Sequence, residues 1–239
     1  WLSLYRDGKL NDTQSQFFQP KTPEALYNIN LDPHEVNDLS KSEDHKEILL
    51  QMRGQLQERI SSMPDLSFYP EPYLLDNALE NPTAFGQNNK AAIAELIAIA
   101  DLNLFPYEKV EGKIKAALRD KNPWKRYWGL IVCSSFGMKA KGLVPQIQTI
   151  LQVDHENLVR IRAVEYLLLN HIPFDKKILK NLLENADSET EANLMLNTLS
   201  LIKEYQPNIK FNFSKEIFPA EWYDKPNDLV NRRSELLIN

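Results

Sequence analysis

The feature that most constrains the fold of this 239-residue chain is an internal repeat in its second half. Three segments open with an aspartate, pass through a polar stretch and continue into a helical pattern, beginning at Asp120, Asp154 and Asp187. They are 34 residues (120 to 154) and 33 residues (154 to 187) apart. In the first two segments an arginine, Arg126 or Arg160, follows the aspartate by six positions. A period of this length is typical of proteins built from stacked helix pairs.

Each repeat carries apolar residues at three- and four-residue spacing, which predicts two amphipathic helices per repeat. These residues are Val110, Ile114, Ala117 and Leu118 with Trp124, Tyr127, Trp128, Ile131 and Val132; Leu143, Val144, Ile147, Ile150 and Leu151 with Val159, Ile161, Val164, Leu167 and Leu168; and Phe174, Ile178, Leu179, Leu182 and Leu183 with Leu194, Met195, Leu199 and Ile202. One such pair cannot bury its apolar faces alone, so neighbouring pairs are expected to stack.

The segment from Asp154 to Arg160 resembles HEAT repeats in the placement of its aspartate, valine and arginine. The resemblance implies that the aspartate caps the second helix of its repeat and that the arginine bridges to the aspartate of the neighbouring repeat. We therefore predict a mainly α protein in which residues 76–205 form a HEAT-like α-solenoid of about three helix pairs. Residues 89–100 would add half a repeat at its N-terminal end.

Residues 1–75 are mixed in character and predict a small α+β segment. Residues 25–31 form an apolar run closed by an Asp-Pro pair, which cannot continue a sheet ladder, so we predict a strand there. The sequence Ser40-Lys41-Ser42-Glu43 matches a capping box and predicts the start of an amphipathic helix over about residues 41–60. The apolar residues of that helix are Ile48, Leu49, Met52, Leu56 and Ile60.

Prolines at positions 64, 70 and 72 end this helix, because they remove backbone donors and favour extended shapes. They mark the clearest boundary in the chain, between the segment of residues 1–75 and the repeats of residues 76–205. Residues 206–239 alternate aromatic and polar side chains and predict an extended tail that ends in a short helix at about residues 228–237. We expect this tail to wrap back over another part of the protein.

Composition excludes several classes of function. The net charge of −5, with Lys and Arg scattered among acids, gives no reason to expect nucleic acid as a ligand. No run approaches the roughly 18 apolar residues of a membrane helix, so no membrane span is predicted. The single cysteine, Cys133, excludes an internal disulfide and a cysteine-based zinc site. The four histidines show no metal-ligand spacing, and no metal site is predicted.

Three short matches in order make residues 1–75 resemble the C-terminal end of the sulfatase family, specifically bacterial sulfatases of the arylsulfatase and N-sulfoglucosamine sulfohydrolase type. They are Arg6 to Leu10, Gln16 to Lys21, and Pro23 to Asn28 continuing through Asp32 to Leu39. In that family the corresponding strand and turn lie in a small C-terminal subdomain that packs on the catalytic α/β core. Some members carry a helical-repeat extension after it, and the resemblance also implies a periplasmic or secreted protein.

The resemblance implies a catalytic centre that these residues do not contain. Sulfatases use a formylglycine made from the cysteine of a Cys-x-Pro-x-Arg motif, beside a calcium ion. Here Cys133 lies in Cys-Ser-Ser-Phe-Gly, without the proline or the arginine, and its place in a repeat helix indicates a small core residue. We therefore expect formylglycine and calcium in a catalytic domain preceding Trp1, with that domain as the principal partner and no catalytic, cofactor or metal residue in this segment.

Two features remain as weak site candidates. His34 lies in a turn that could border the substrate cleft of a sulfatase, or it could hold the turn by a hydrogen bond, while its neighbours Asp32 and Glu35 suit turn and helix capping. A second group of aromatic rings and cations could bind a sulfated glycan, or the rings could be core residues beside solvated cations, which we favour. That group is Tyr107, Trp124, Tyr127 and Trp128 with Arg119, Lys121, Lys125 and Arg126.

The leading hypothesis is an accessory C-terminal region of a sulfatase that hydrolyses sulfate esters of polysaccharides or glycosaminoglycans. Its repeats would serve stability, substrate access or homo-oligomerisation. The alternative is a stand-alone HEAT-like repeat module that binds a protein partner. The two hypotheses differ over residues 1–75, which would need a covering domain in the first case and fold unaided in the second.

Overall fold

The computed structural model describes residues 1–224 and 228–238, and over these residues the protein is mainly α-helical, with no β-strand. The predicted mainly α class is therefore confirmed. The chain divides into two compact units, Trp1–Met63 and Pro64–Asn239. This division falls at the start of the proline-rich segment, which is earlier than the predicted boundary at residue 75.

The first unit contains three α-helices and two short 3₁₀ turns but almost no core. The helices are α1 (Leu2–Arg6), α2 (Asp12–Ser15) and α3 (Lys46–Ser62), and the 3₁₀ turns are Gln16–Phe18 and Glu43–His45. Leu26 is the one buried hydrophobic residue among residues 1–63, all of which are described. Trp1 stacks on Phe17 and Tyr5 stacks on Phe18, with edge contacts from Phe18 to Trp1 and Phe17, yet Trp1 and Phe17 stay more than half exposed.

The strand predicted at residues 25–31 is absent. Leu26 donates its amide to Asp38 Oδ1 at 3.0 Å and accepts from the Leu39 amide at 2.7 Å, but this contact is not extended into a ladder. Two residues further on the chain turns, because the Leu31 and Asp32 amides both donate to the carbonyl of Asn28. A strand needs a partner for its successive backbone groups, and within the described residues this run has none.

Asp38 and the serines near it organise the approach to α3 in a way the sequence did not predict. Burial disfavours the charged form of Asp38, but hydrogen bonds from the Leu26 and Ser40 amides and the Ser40 hydroxyl outweigh it and lower the pKa of this carboxyl. Ser42 Oγ lies 2.9 Å from His45 Nδ1 and does not cap α3. The predicted capping box is therefore wrong, because both serines are held in local turns.

The second unit contains ten further helices over its described residues. They are α4 (Glu71–Asn77), α5 (Pro82–Asn88), α6 (Lys90–Ala100), α7 (Tyr107–Ala117), α8 (Pro123–Phe136), α9 (Val144–Val153), α10 (Asn157–Leu169), α11 (Lys176–Glu184), α12 (Glu189–Tyr205) and α13 (Leu229–Ile238). Helices α6, α8, α10, α12 and α13 contact one another in that succession. Helix α7 packs on α8, and helices α9 and α11 both pack on α10.

Helix α10 is the centre of the core, since nearly all of its residues from Leu158 to Leu167 are buried. Helix α8, which packs on α10, ends at Phe136 and is followed by Gly137, whose φ of 56° is a left-handed value that glycine adopts without strain. Tyr166 of α10 donates its hydroxyl to the carbonyl of Gly137 at 3.3 Å. The apolar periodicity of the repeats therefore corresponds to a real, continuous core through this unit.

The segment just after the proline-rich boundary covers part of the α8 and α12 surface. The Tyr73 ring lies 4.8 Å from the Trp124 ring, centroid to centroid, and Trp128 donates its indole N–H to the Phe68 carbonyl at 2.8 Å. Helix α4 also contacts α12. The second unit thus fills this surface with its own residues.

The C-terminal tail wraps back over the repeat helices, as the sequence predicted. Gln206 donates to the Leu168 carbonyl at the end of α10 at 2.6 Å, and Lys203 of α12 donates to the Leu236 carbonyl of α13 at 2.9 Å. Phe211 and Phe218 are buried. Residues 225–227 and 239 of the predicted tail lie outside the described residues.

Candidate functional site

The turn that contains His34 is held by Asp32. Asp32 Oδ2 accepts hydrogen bonds from the Val36 amide at 2.8 Å and the Asn37 amide at 2.7 Å, which is the structural role predicted for this aspartate. Glu35 adopts a positive φ of 52° at the tip of the turn. His34 is exposed and forms no hydrogen bond with any residue that the structure describes. It does not hold the turn, and its role beside a substrate cleft stays a prediction.

The predicted aromatic group is packed rather than open to a ligand. Tyr107, Trp124 and Tyr127 are buried, at 5 to 7% exposure. Trp128 is partly buried, and its indole N–H is already bonded to the Phe68 carbonyl. These rings therefore offer no flat exposed face on which a sugar could stack, and the interpretation as core residues is supported.

Two of the neighbouring cations are ion-paired, which corrects the expectation that they are solvated. Lys125 lies 2.8 Å from Glu95 and 3.2 Å from Asp120. The hydrogen bond to Glu95, with help from Asp120, raises the pKa of Lys125 against the effect of burial. The pKa of Asp120 is lowered, chiefly by the hydrogen bond that its carboxylate accepts from the Asn122 amide. Arg119 and Lys121 are exposed.

Arg126 joins one repeat to the next. Its Nε lies 2.6 Å from Asp154 Oδ2 and its Nη2 lies 2.7 Å from Asp154 Oδ1, so the pair is bidentate, and the side chains are 16% and 5% exposed. Its Nη1 also donates to the Asp120 carbonyl at 2.8 Å. This is the bridge between aspartate and arginine that the HEAT resemblance implied.

The next interface along the chain is built differently. Arg160 donates to the Leu151 carbonyl at 3.0 Å and forms no ion pair with Asp187 among the described residues. The link is made instead by Asn157, which donates to the Asn185 carbonyl at 2.8 Å. The predicted repetition of the bridge is therefore wrong at this interface.

The aspartates that open the repeats also do not cap the second helices. Asp120 accepts from the Asn122 amide at 2.9 Å and Asp154 accepts from the Glu156 amide at 3.0 Å, which are local turns two residues long. Asn122 and Glu156 are the capping residues of α8 and α10. The implied cap is thus displaced by two residues, because each aspartate fixes the turn that leads to the cap.

A buried charge cluster between α8 and α10 was not predicted from the sequence. Arg162 donates through Nη2 to the Tyr127 hydroxyl at 2.7 Å, pairs through Nη1 with Glu165, and lies over the Tyr127 ring. Burial lowers the pKa of Arg162, but Glu165 and Tyr127 outweigh burial and raise it. The available signal was a charged residue within the apolar run between Ile161 and Val164. The cluster links two helices and is largely buried between them, so we assign it a structural role.

Cys133 is a core residue, as predicted. It is fully buried in α8, and burial raises the pKa of its thiol to about 12, so it is protonated at neutral pH. Residues 1–224 and 228–238 contain no group of three or more metal-ligating side chains. No helix within these ranges is long and apolar enough to cross a membrane.

The clearest candidate for an interaction surface is the apolar stripe of α3 in the first unit. Ile48, Met52 and Leu56 recur every four residues along the helix and are about half exposed, at 48, 50 and 58%. We call these three residues the α3 face. Arg53 forms a bidentate ion pair with Glu24 and fixes α3 to the preceding segment. An amphipathic helix normally buries its apolar stripe, and here that stripe is uncovered.

Comparison of the chain with models of known protein families, with curated proteins and with solved structures finds no match.

Proposed function

We propose that this chain is the C-terminal region of a sulfatase that hydrolyses sulfate esters, of polysaccharides or glycosaminoglycans. Residues 1–63 would complete the catalytic domain, and residues 76–205 would form a HEAT-like α-solenoid of about three helix pairs attached to it. The single observation that carries this proposal is the uncovered α3 face in a unit that resembles the sulfatase C-terminal subdomain.

The energetics of the first unit support a covering domain. A fully buried leucine, isoleucine or methionine stabilises a fold by about 1.5–3 kcal/mol relative to an exposed one. Residues 1–63 bury one hydrophobic side chain, Leu26, and leave the α3 face in water. A domain of this size is marginal even with a full core. A catalytic domain packed on the α3 face would supply the apolar burial that the unit lacks.

The second unit supports the proposal of a HEAT-like extension after the catalytic domain. Helices α7 with α8 and α9 with α10 pack as neighbours, and the ion pair of Arg126 with Asp154 joins two repeats in the manner of HEAT proteins. Cys133 does not fit the formylglycine of a sulfatase, because its thiol is enclosed by the core of α8. Formylglycine and calcium would then belong to the catalytic domain, in a periplasmic or secreted enzyme.

The stand-alone binding module is the weaker proposal. Such a module would offer a helix surface to its partner, but part of the α8 and α12 surface is filled by Phe68, Tyr73 and helix α4. The hypothesis also gives no reason for an uncovered α3 face in the preceding unit.

Activity measurements test the proposal. We expect the complete gene product to hydrolyse p-nitrophenyl sulfate and residues 1–239 alone to show no turnover, because the chain supplies no sulfatase nucleophile. The control is a complete protein with the cysteine or serine of its Cys-x-Pro-x-Arg-type motif replaced by alanine, which should be inactive. Turnover by residues 1–239 alone, or a complete protein without sulfatase activity, would contradict the proposal.

A further inference from the structure

The second unit has an open groove between the end of α7 and the start of α9. Its volume is about 520 Å³, within the range of about 300–1,000 Å³ that is common for small-molecule sites. The floor is apolar, formed by Leu118 and Leu143, both buried. Lys115 and Arg119 line the α7 side, and Gln146 and Thr149 line the α9 side.

The charges of this groove are unpaired. Lys115 and Arg119 are both exposed, and neither forms an ion pair with a residue that the structure describes. Lys115 lies in the last turn of α7, and Arg119 lies two residues beyond the end of that helix at Ala117. Both side chains line the groove, which therefore contains two cations without an ion-pair partner.

One hydrogen-bond acceptor in the groove has no donor among the described residues. Gln146 Oε1 is buried without a hydrogen-bond partner, while the amide nitrogen of the same side chain makes one long bond of 3.4 Å to the Lys115 carbonyl. A buried acceptor without a donor costs stability, so a rotation of this groove-lining side chain that brings Oε1 to a ligand hydroxyl would be favourable. Thr149 uses its hydroxyl proton on the Pro145 carbonyl and keeps its oxygen as an acceptor.

We propose that this groove binds an anionic saccharide, with its sulfate group on Lys115 and Arg119 and its hydroxyl groups on Gln146 Oε1 and Thr149 Oγ1. A bare anion would satisfy the cations but would leave Gln146 without a donor. A neutral sugar would leave both cations unpaired. A sulfated sugar would pair its sulfate with the two cations and its hydroxyl groups with the polar side chains. The choice of sulfate as the anion rests on the proposed function.

Binding measurements on residues 1–239 test this site without any reference to activity. The probes are chondroitin sulfate, carrageenan and dextran sulfate oligosaccharides, each beside its desulfated counterpart, in isothermal titration calorimetry. We expect at least one sulfated oligosaccharide to bind at least tenfold more tightly than its desulfated form. Lys115→Ala/Arg119→Ala should weaken that binding at least tenfold, because charge-assisted hydrogen bonds to sulfate are lost. Gln146→Leu should weaken it about fivefold.

The matched control is Lys113→Ala/Lys121→Ala, which removes two exposed charges outside the groove and should leave binding unchanged. Absence of binding to every sulfated probe would overturn the site, as would equal losses in the control variant. Equal binding of inorganic polyphosphate of the same length would also overturn it, since the groove would then bind anions without regard to the sugar. None of these results depends on whether the complete protein is a sulfatase.

Discussion

Arg126→Ala should lower the free energy of unfolding of the second unit by about 3 kcal/mol, because it leaves a buried carboxylate without its counter-ion. The Asp154 side chain is 5% exposed and receives two hydrogen bonds from this guanidinium. The substitution also removes the hydrogen bond to the Asp120 carbonyl within its own repeat. Urea unfolding of residues 1–239, followed by near-ultraviolet circular dichroism from the buried aromatic rings, measures the change.

The repeat itself offers the matched control. Arg160 stands at the equivalent position of the next repeat, but its Nε is bonded to the Leu151 carbonyl and it forms no ion pair within the described ranges. Arg160→Ala should therefore cost about 1 kcal/mol. Equal losses for the two variants would show that the ion pair with Asp154 adds nothing to the interface between repeats.

Leu56→Asp should leave the stability of residues 1–239 within about 0.5 kcal/mol of the parent, because Leu56 is exposed there. In the complete protein the same substitution should cost about 3 kcal/mol, because a carboxylate would be buried without a partner under the catalytic domain. Thermal unfolding of the two proteins, each with and without the substitution, measures the difference.

Gln55→Asp is the control for this second result, since it introduces the same charge at a neighbouring exposed position outside the α3 face. It should be tolerated in both proteins. If Leu56→Asp were equally harmless in the complete protein, the α3 face would not be a contact with the catalytic domain.

The helices of the second unit were predictable because their apolar periodicity reflects a core made from local helix pairs. Ile161, Val164 and Leu167 recur at helical spacing and are all fully buried. The bridge from Arg126 to Asp154 was implied by the resemblance to HEAT repeats. The absence of such a bridge at the next interface could not be predicted. The link there depends on Asn157, which is not part of the pattern of aspartate and arginine.

The first unit shows where sequence patterns fail. Residues 25–31 have the apolar pattern of a strand, but a strand requires a partner, and the one backbone contact of Leu26 with Leu39 is not continued. The pattern of α3 predicted its apolar stripe and could not show that the stripe is uncovered. The groove beside Lys115 and Arg119 was likewise hidden, because it forms only when α9 packs near the end of α7.

Hydrogen exchange of the α3 amides, compared between residues 1–239 alone and the complete protein, tests the central claim most directly. If residues 1–63 complete a catalytic domain, the amides of Lys46–Ser62 should exchange with little protection in the isolated chain, because the unit has almost no core. In the complete protein the same amides should exchange at least a hundredfold more slowly. Full protection of α3 in the isolated chain, unchanged in the complete protein, would contradict the account.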